Sequence, residues 1–147
     1  MKKRSKFMSD CIFCKIVNKE IPATVVYESE EVLVFMDIGP IIKGHVLVIP
    51  KKHYDPVTET PDEILAEMHL TAKKIAAAQM NGLGADGVNI MQNNGKASGQ
   101  EVEHIHIHVI PRFNNDGHHW NWNPKVYNDF EEMNDLAEKL QKQLNYE

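Results

Sequence analysis

Cysteine is scarce in this chain of 147 residues: there are two, Cys11 and Cys14. A disulfide-stapled scaffold needs more of them and an oxidising compartment, so that class is excluded. No stretch approaches the run of about 18 apolar residues that a membrane-spanning helix requires. The start, Met1 to Met8, lacks the apolar segment of a signal peptide, which leads us to expect a cytoplasmic protein. Positive charge is also short. The formal net charge is −5, and four of the sixteen basic residues crowd at Lys2, Lys3, Arg4 and Lys6. Without residues 1–8, twelve basic residues face twenty-one acidic ones, a net of −9. Nucleic-acid binding rests on phosphate neutralisation by Lys and Arg, so neither nucleic acid nor membrane is expected as a partner.

What is present is ordinary for one globular domain: 42% apolar, 25% charged and only 7% aromatic residues. Val25–Tyr27 and Val32–Met36 are β-branched and aromatic runs around a polar turn, and His45–Ile49 is a third such run closed by Pro50. Thr60-Pro-Asp-Glu63 reads as a helix start, with Thr60 as N-cap and Pro61 at the first helical position. Ile64, Leu65, Met68, Ala72, Ile75 and Ala76 follow at helical spacing, and Gly82-Leu-Gly84 ends the helix. Val88–Met91 and Glu103–Ile110 read as the fourth and fifth strands, with a polar loop over Gly95–Gln100. Arg112–Tyr127 reads as loop. A last helix is expected over about Asp129–Leu144, with Phe130, Met133, Leu136, Ala137 and Leu140 on its inner side. Neighbouring strands with short connections point to an antiparallel sheet, and the class is α+β.

Eight histidines are many for this length, and three lie in His104-Ile-His-Ile-His108. Alternation is a strand period, which sends the three imidazoles to one face and Ile105, Ile107 and Val109 to the other. The apolar face is core. The outer imidazoles stand about 13 Å apart along a strand, too far for all three to share one ion at bonds of about 2 Å. The three therefore divide into roles, one serving a metal while another does chemistry. Neutral histidine is a competent nucleophile toward phosphorus near pH 7. Asn93-Asn-Gly-Lys-Ala-Ser-Gly-Gln100 supplies amides, a lysine, a hydroxyl and glycines that let backbone N–H groups approach an anion. Cys11 and Cys14 alone fit zinc ligands, a redox pair or buried apolar residues. The redox reading is the weakest, because no strand precedes them.

These residues resemble the histidine triad (HIT) family, whose signature alternates three histidines with apolar residues, as His104-Ile-His-Ile-His-Val-Ile110 does. Further landmarks stand in the family's order: Cys11-Ile-Phe-Cys-Lys-Ile16, Glu20-Ile-Pro22, Phe35-Met-Asp-Ile38, Gly44 to His53, Asn93-Asn-Gly95 and Gly99-Gln100. They cover roughly residues 10–113, the expected catalytic domain. A basic tail would precede it over 1–9, and a loop and helix packed on the same domain would follow over 114–147. The resemblance implies a five-stranded antiparallel sheet with a central and a C-terminal helix, paired in a homodimer with a continuous sheet. It also implies binding of purine nucleotides and hydrolysis at the α-phosphate of phosphoramidates or dinucleoside polyphosphates, through a nucleotidyl-histidine intermediate.

By position, His106 is then the nucleophile, His108 contacts the phosphate, and His45 supports them. Asp37 and Ile38 match positions that hold ribose and base; Asn93, Gly99 and Gln100 match the phosphate loop. Cys11, Cys14, His53 and His104 match the ligands of a structural zinc found in part of the family, one per chain, with no organic cofactor. Glu101 stands where many relatives have Ser. A carboxylate there repels an anionic substrate unless it points away or protonates a basic leaving group. Trp120 and Trp122, beside His118 and His119, are candidates to cover apolar surface or to reach a partner's pocket. The competing reading is a nucleotide-binding regulator or scaffold with little turnover. A histidine-rich metal carrier is a third.

Overall fold

The computed structural model describes residues 10–144. The basic tail expected over 1–9 lies outside them. Three helices and five strands follow one another: α1 (Ile12–Val17), β1 (Val25–Glu28), β2 (Val32–Met36), β3 (Val46–Pro50), α2 (Asp62–Leu83), β4 (Gly87–Met91), β5 (Ile107–Arg112) and α3 (Phe130–Leu144). All strand pairs are antiparallel, in the order β1-β2-β3-β5-β4. The α+β, five-stranded expectation holds.

The continuous apolar runs of β2 and β3 are explained by burial on both faces. On one side Val32, Val34, Val46, Val48, Ile105, Ile107 and Val109 pack against Ile64, Met68, Ala72 and Ile75 of α2. On the other, Leu33, Phe35, Leu47 and Ile49 pack against Cys11, Phe13 and Cys14 around α1. Helix α1 has only six residues and leans on this second layer. Its start is capped by Cys11, whose Sγ accepts from the Cys14 amide at 3.3 Å. The single sheet thus separates a conventional core from a layer that carries the cysteines.

The loop between β2 and β3 is tightly bound. Asp37 N–H donates to the His45 carbonyl at 3.0 Å, and His45 N–H donates to the Ile42 carbonyl at 3.0 Å. Buried Gln79 of α2 donates through Nε2 to the carbonyls of Gly44 (3.1 Å) and Val109 (3.0 Å), holding this loop to β5. Gly44 has φ +104°, and a Cβ there would lie 2.8 Å from Leu83 Cδ1 and 3.0 Å from Pro111 Cγ. The positive φ is what requires glycine, while the Leu83 side-chain tip could swing aside and Pro111 would have to give slightly.

Three expectations are corrected. Thr60 does not cap α2: its hydroxyl donates to the Pro56 carbonyl at 3.0 Å, and Pro61 precedes the first helical residue. The fifth strand pairs only from Ile107 to Arg112, later than Glu103–Ile110, so His104 and His106 stand outside the ladder. The side chains still alternate. And α3 has no inner side among the described residues: Phe130, Met133, Leu136, Ala137 and Leu140 are all exposed. The loop after β5 does dock, through Arg112, which holds Asp116 in two hydrogen bonds (2.7 and 3.0 Å) and also donates to Asn89 and the His118 carbonyl. The helix beyond it is set locally by Asp129, whose Oδ1 accepts from the Glu132 amide at 2.8 Å. Its apolar stripe shows that the helix is amphipathic without saying what covers it.

Replacing Gly44 by Ala is expected to destabilise the fold by about 1–3 kcal/mol, chiefly from the strained φ, with the tight approach to Pro111 adding to it. Urea unfolding measures this. A change within about 0.5 kcal/mol, the size of an ordinary surface substitution, would contradict the backbone requirement.

Candidate active site and metal cluster

The five site imidazoles form one layer on the α1 side of the sheet, and His45, His104 and His106 are 2%, 0% and 5% exposed. Buried imidazoles must satisfy their nitrogens, and each partner reveals where the proton sits in the neutral ring. His104 Nε2 lies 2.8 Å from the Pro50 carbonyl, which can only accept. Its proton is therefore on Nε2 and its Nδ1 is bare. His106 Nδ1 donates to the His104 carbonyl at 2.7 Å, which leaves His106 Nε2 with a free lone pair. His45 Nδ1 accepts from the Ile41 amide at 3.1 Å, so its proton is on Nε2, 2.9 Å from His108 Nδ1. His108 must then carry its own proton on Nε2. The arrangement offers a nucleophilic nitrogen on one ring and an N–H donor on its neighbour, whose ring centroid is 4.9 Å away.

Burial depresses the basicity of all these rings. His108 is brought down to about 4, first by desolvation and then by His106 and His45. His106 and His45 are lowered for the same leading reason, with Asp37 opposing the shift in both. All three are neutral at pH 7, the form a nucleophile requires.

The bare Nδ1 of His104 points at the cysteines, 3.4 Å from Cys11 Sγ and 3.6 Å from Cys14 Sγ, and His53 Nδ1 lies 3.4 Å from Cys14 Sγ. Tetrahedral zinc with bonds of about 2.3 Å to sulfur and 2.0–2.1 Å to nitrogen separates S and N ligands by about 3.6 Å. The four residues fit a metal ion, and as a closed set they leave no position for water. The Cys14 thiol, pushed up to about 12 by burial and by Cys11 beside it, needs such a cation to ionise. Asp37, His45 and His108 also bring ligand atoms together. There the Ile41 amide keeps the proton of neutral His45 on Nε2, the atom a metal would need, and the group is a hydrogen-bond relay.

The remaining expected site residues surround this layer. Asp37 Oδ1 accepts from the Gly39 amide at 2.8 Å, and its Oδ2 lies 3.6 Å from His45 Nε2. Ile38 is wholly exposed on the same loop. Asn93 is half-buried, and Gly99, at φ +98°, turns the chain beside it. Gln100 is buried and works inward: Oε1 accepts from the Gly95 amide at 2.7 Å, while Nε2 donates to Asp55 (2.7 Å) and the Val102 carbonyl (2.9 Å). Its side chain shapes the glycine loop. Glu101 is exposed and lines a surface cavity with Asp10, Glu103, Cys11 and His53, on the side of the metal cluster. Trp120 is tied by Nε1 to Asn89 at 3.1 Å and stacked edge-on with His118, whereas Trp122 is 86% exposed. Sequence reasoning passed over the Ile41 amide, Asp55 and Phe13. A backbone donor leaves no compositional trace, and Phe13 was visible only as the residue between two cysteines.

The antiparallel sheet thus carries a neutral, oriented imidazole with a bare ring nitrogen beside a glycine-bend loop. Residues 18–115 match the HIT domain. An adenosine 5'-monophosphoramidase of Saccharomyces cerevisiae is 40% identical over 131 residues, 88% of this chain and 80% of its own. A crystal structure from Streptococcus mutans superposes with TM-score 0.85 at 42% identity, covering 92% of this chain and 85% of that one. A zinc-bound histidine triad protein of Mycobacterium smegmatis superposes with TM-score 0.72 at 42% identity, covering 95% and 98%. The chain belongs to the HIT domain family. Among the described residues, no helix is long and apolar enough to cross a membrane.

The depressed basicity of His108 has a stability consequence. Between about 6.5, the ordinary histidine value, and about 4 the unfolded chain takes up a proton that the folded chain refuses. Stability is therefore flat with respect to this group above that window and falls as pH drops through it. Urea midpoints between pH 7.5 and 5 should decline, and less steeply in His108→Asn; equal slopes would contradict the buried neutral ring.

Proposed function

We propose that the protein is a nucleotidyl hydrolase that cleaves at the α-phosphate of purine nucleoside phosphoramidates or dinucleoside polyphosphates. The observation that carries this reading is the bare Nε2 of His106, kept so by the Nδ1 bond to the His104 carbonyl. In the first step His106 Nε2 attacks the α-phosphorus, and the P–N or P–O bond to the leaving group breaks. A proton from solvent completes the leaving group, while neutral His108 keeps its Nε2–H. The nucleotidyl-imidazolium retains its Nδ1–H on the His104 carbonyl, which disperses the positive charge. Water then attacks phosphorus, the P–Nε2 bond breaks back to the ring, and the monophosphate leaves.

The His108 N–H and the amides of the glycine loop, with Asn93 and Gly99, stabilise charge on the phosphate oxygens. Asp37 accepts from the ribose hydroxyls and exposed Ile38 packs on the base. His45 holds the tautomer of His108. Cys11, Cys14, His53 and His104 hold a structural zinc, supported by the S···N separations and by the zinc-bound relative. When bound, it supplies a fixed link between α1 and the histidine segment and no chemistry of its own. The protein acts in the cytoplasm as a homodimer, an assembly in which the exposed apolar stripe of α3 could be covered.

Wild type and His106→Asn are to be compared for AMP release from adenosine phosphoramidate. Loss of about a thousandfold or more in the variant, with nucleotide binding retained, is expected when a covalent nucleophile is removed. Equal rates would overturn the covalent mechanism, and binding without release by either protein would favour a nucleotide-binding regulator. One zinc per chain is expected by elemental analysis. A higher ratio without nucleotide preference would indicate a metal carrier.

A further inference from the structure

Between Met91, the last residue of β4, and Ile107, the first of β5, the chain runs over residues 92–106 without joining the sheet. Both parts of the proposed chemistry lie in this stretch, the glycine loop near its start and His106 at its end. Strand pairing therefore does not set their relative position. A second segment, Tyr54–Val57, touches both. The Tyr54 carbonyl accepts from the Ile105 amide at 2.8 Å, one residue before the nucleophile. Val57 N–H donates to Asn94 Oδ1 at 3.2 Å, one residue after Asn93. Between these two contacts, Asp55 Oδ1 accepts from Gln100 Nε2 at 2.7 Å.

The Asp55–Gln100 bond bears on how the turn is held. Gly95 and Gly99 have φ of +85° and +98°, so the turn bends at two points where the backbone is most free. Gln100 reaches back across it. Its Oε1 accepts from the Gly95 amide at 2.7 Å, and its Nε2 also donates to the Val102 carbonyl at 2.9 Å. A side-chain amide has a donor end and an acceptor end, and turning it over would set two donors against each other at Gly95. A carboxylate and a carbonyl only accept, so Asp55 and Val102 keep the Nε2 end facing them and the oxygen facing Gly95. Asp55 supplies the shorter, charge-assisted bond of the two. Gln100 is 7% exposed, so water is a poor replacement for a lost partner.

We propose that Asp55 is a positioning residue for the hydrolysis described above: through Gln100 it holds the Gly95–Gly99 turn in register with His106, so that the loop amides meet the phosphate oxygens as His106 reaches phosphorus. The inference rests on that reading of the site. Asp55 acts through Gln100 and Gly95, not on the substrate. Donors fixed in advance act most strongly where charge develops, so loss of their aim lowers turnover more than ground-state binding. The ribose and base contacts given to Asp37 and Ile38 lie on the β2–β3 loop and remain.

The test compares wild type, Asp55→Ala and Asp55→Asn as the full chain with its metal bound, in AMP release from adenosine phosphoramidate. Asp55→Ala is expected to lower kcat about 10- to 100-fold, the scale of a misplacement of up to about 1 Å, with KM within about twofold. Asp55→Asn keeps an oxygen that accepts from Gln100 and should restore most of the loss. Gln100→Met cuts the same bond from its other end, and it stands in should Asp55→Ala not fold. Combined with Asp55→Ala it should add little to either change alone, because both act through one contact.

A readout independent of turnover is hydrogen exchange at the Gly95 amide, followed by NMR on nitrogen-labelled protein. Exchange should be slow in wild type and Asp55→Asn, and about tenfold faster or more in Asp55→Ala. Unchanged kcat or unchanged exchange in Asp55→Ala would overturn the proposal. A raised KM with kcat kept would make Asp55 a ground-state binding group, and loss of the metal would make it a support of His53; either overturns it too. If His106→Asn retains turnover, the nucleophile reading fails, while exchange at Gly95 still decides whether Asp55 holds the turn.

Discussion

The structure depends on one constraint: five imidazoles share one layer, three of them buried, where hydrogen-bond partners decide which nitrogen of each key ring carries the proton. The Pro50 carbonyl sets His104, the His104 carbonyl sets His106, and the Ile41 amide sets His45 and, through it, His108. Burial keeps these rings neutral, and a neutral imidazole has one donor and one bare nitrogen. Fixing the donor end fixes the reactive or ligating end. His104 turns its lone pair toward the cysteines and His106 turns its own away from the backbone, although both belong to one extended segment.

The rest of the fold serves to bring those backbone groups to the right places. Strands β2 and β3 are buried on both faces, which locates Pro50 beside His104. Gln79 reaches across the core to Gly44 and Val109, and so ties the β2–β3 loop, with its Ile41 amide, to the strand of His108. Gln100 spends its amide on the glycine loop and on Asp55, holding the Gly95–Gly99 turn in place. The Cys11–Cys14–His53–His104 cluster closes the layer at one end, against α1.

Much of this was legible in the chain. Alternation in His104-Ile-His-Ile-His108 separated the imidazole face from the core face even where ladder pairing was absent, because side-chain alternation belongs to the extended backbone and not to its hydrogen bonds. The family resemblance indicated Cys11, Cys14, His53 and His104 as a ligand set, and the structure gathers their ligand atoms within 4.8 Å. Other features were not legible. Thr60 had the residue type of a cap and bonded to Pro56 instead, since a hydroxyl takes whichever carbonyl the tertiary path brings near. The stripe on α3 announced an amphipathic helix, and periodicity carries no information about which surface it meets.

By itself the sequence determined the strand and helix periods, the two-faced character of the histidine segment, the residue types available for a metal and a nucleophile, and the family. These are local properties, written in neighbouring side chains and their spacing. Tertiary structure alone decided the tautomer of each imidazole, the inward role of Gln100 and the position of Glu101 beside the metal cluster. Each of these depends on groups far apart in the chain, many of them backbone carbonyls and amides that every residue possesses. Only the folded path determines which of them comes within 3 Å of a given ring.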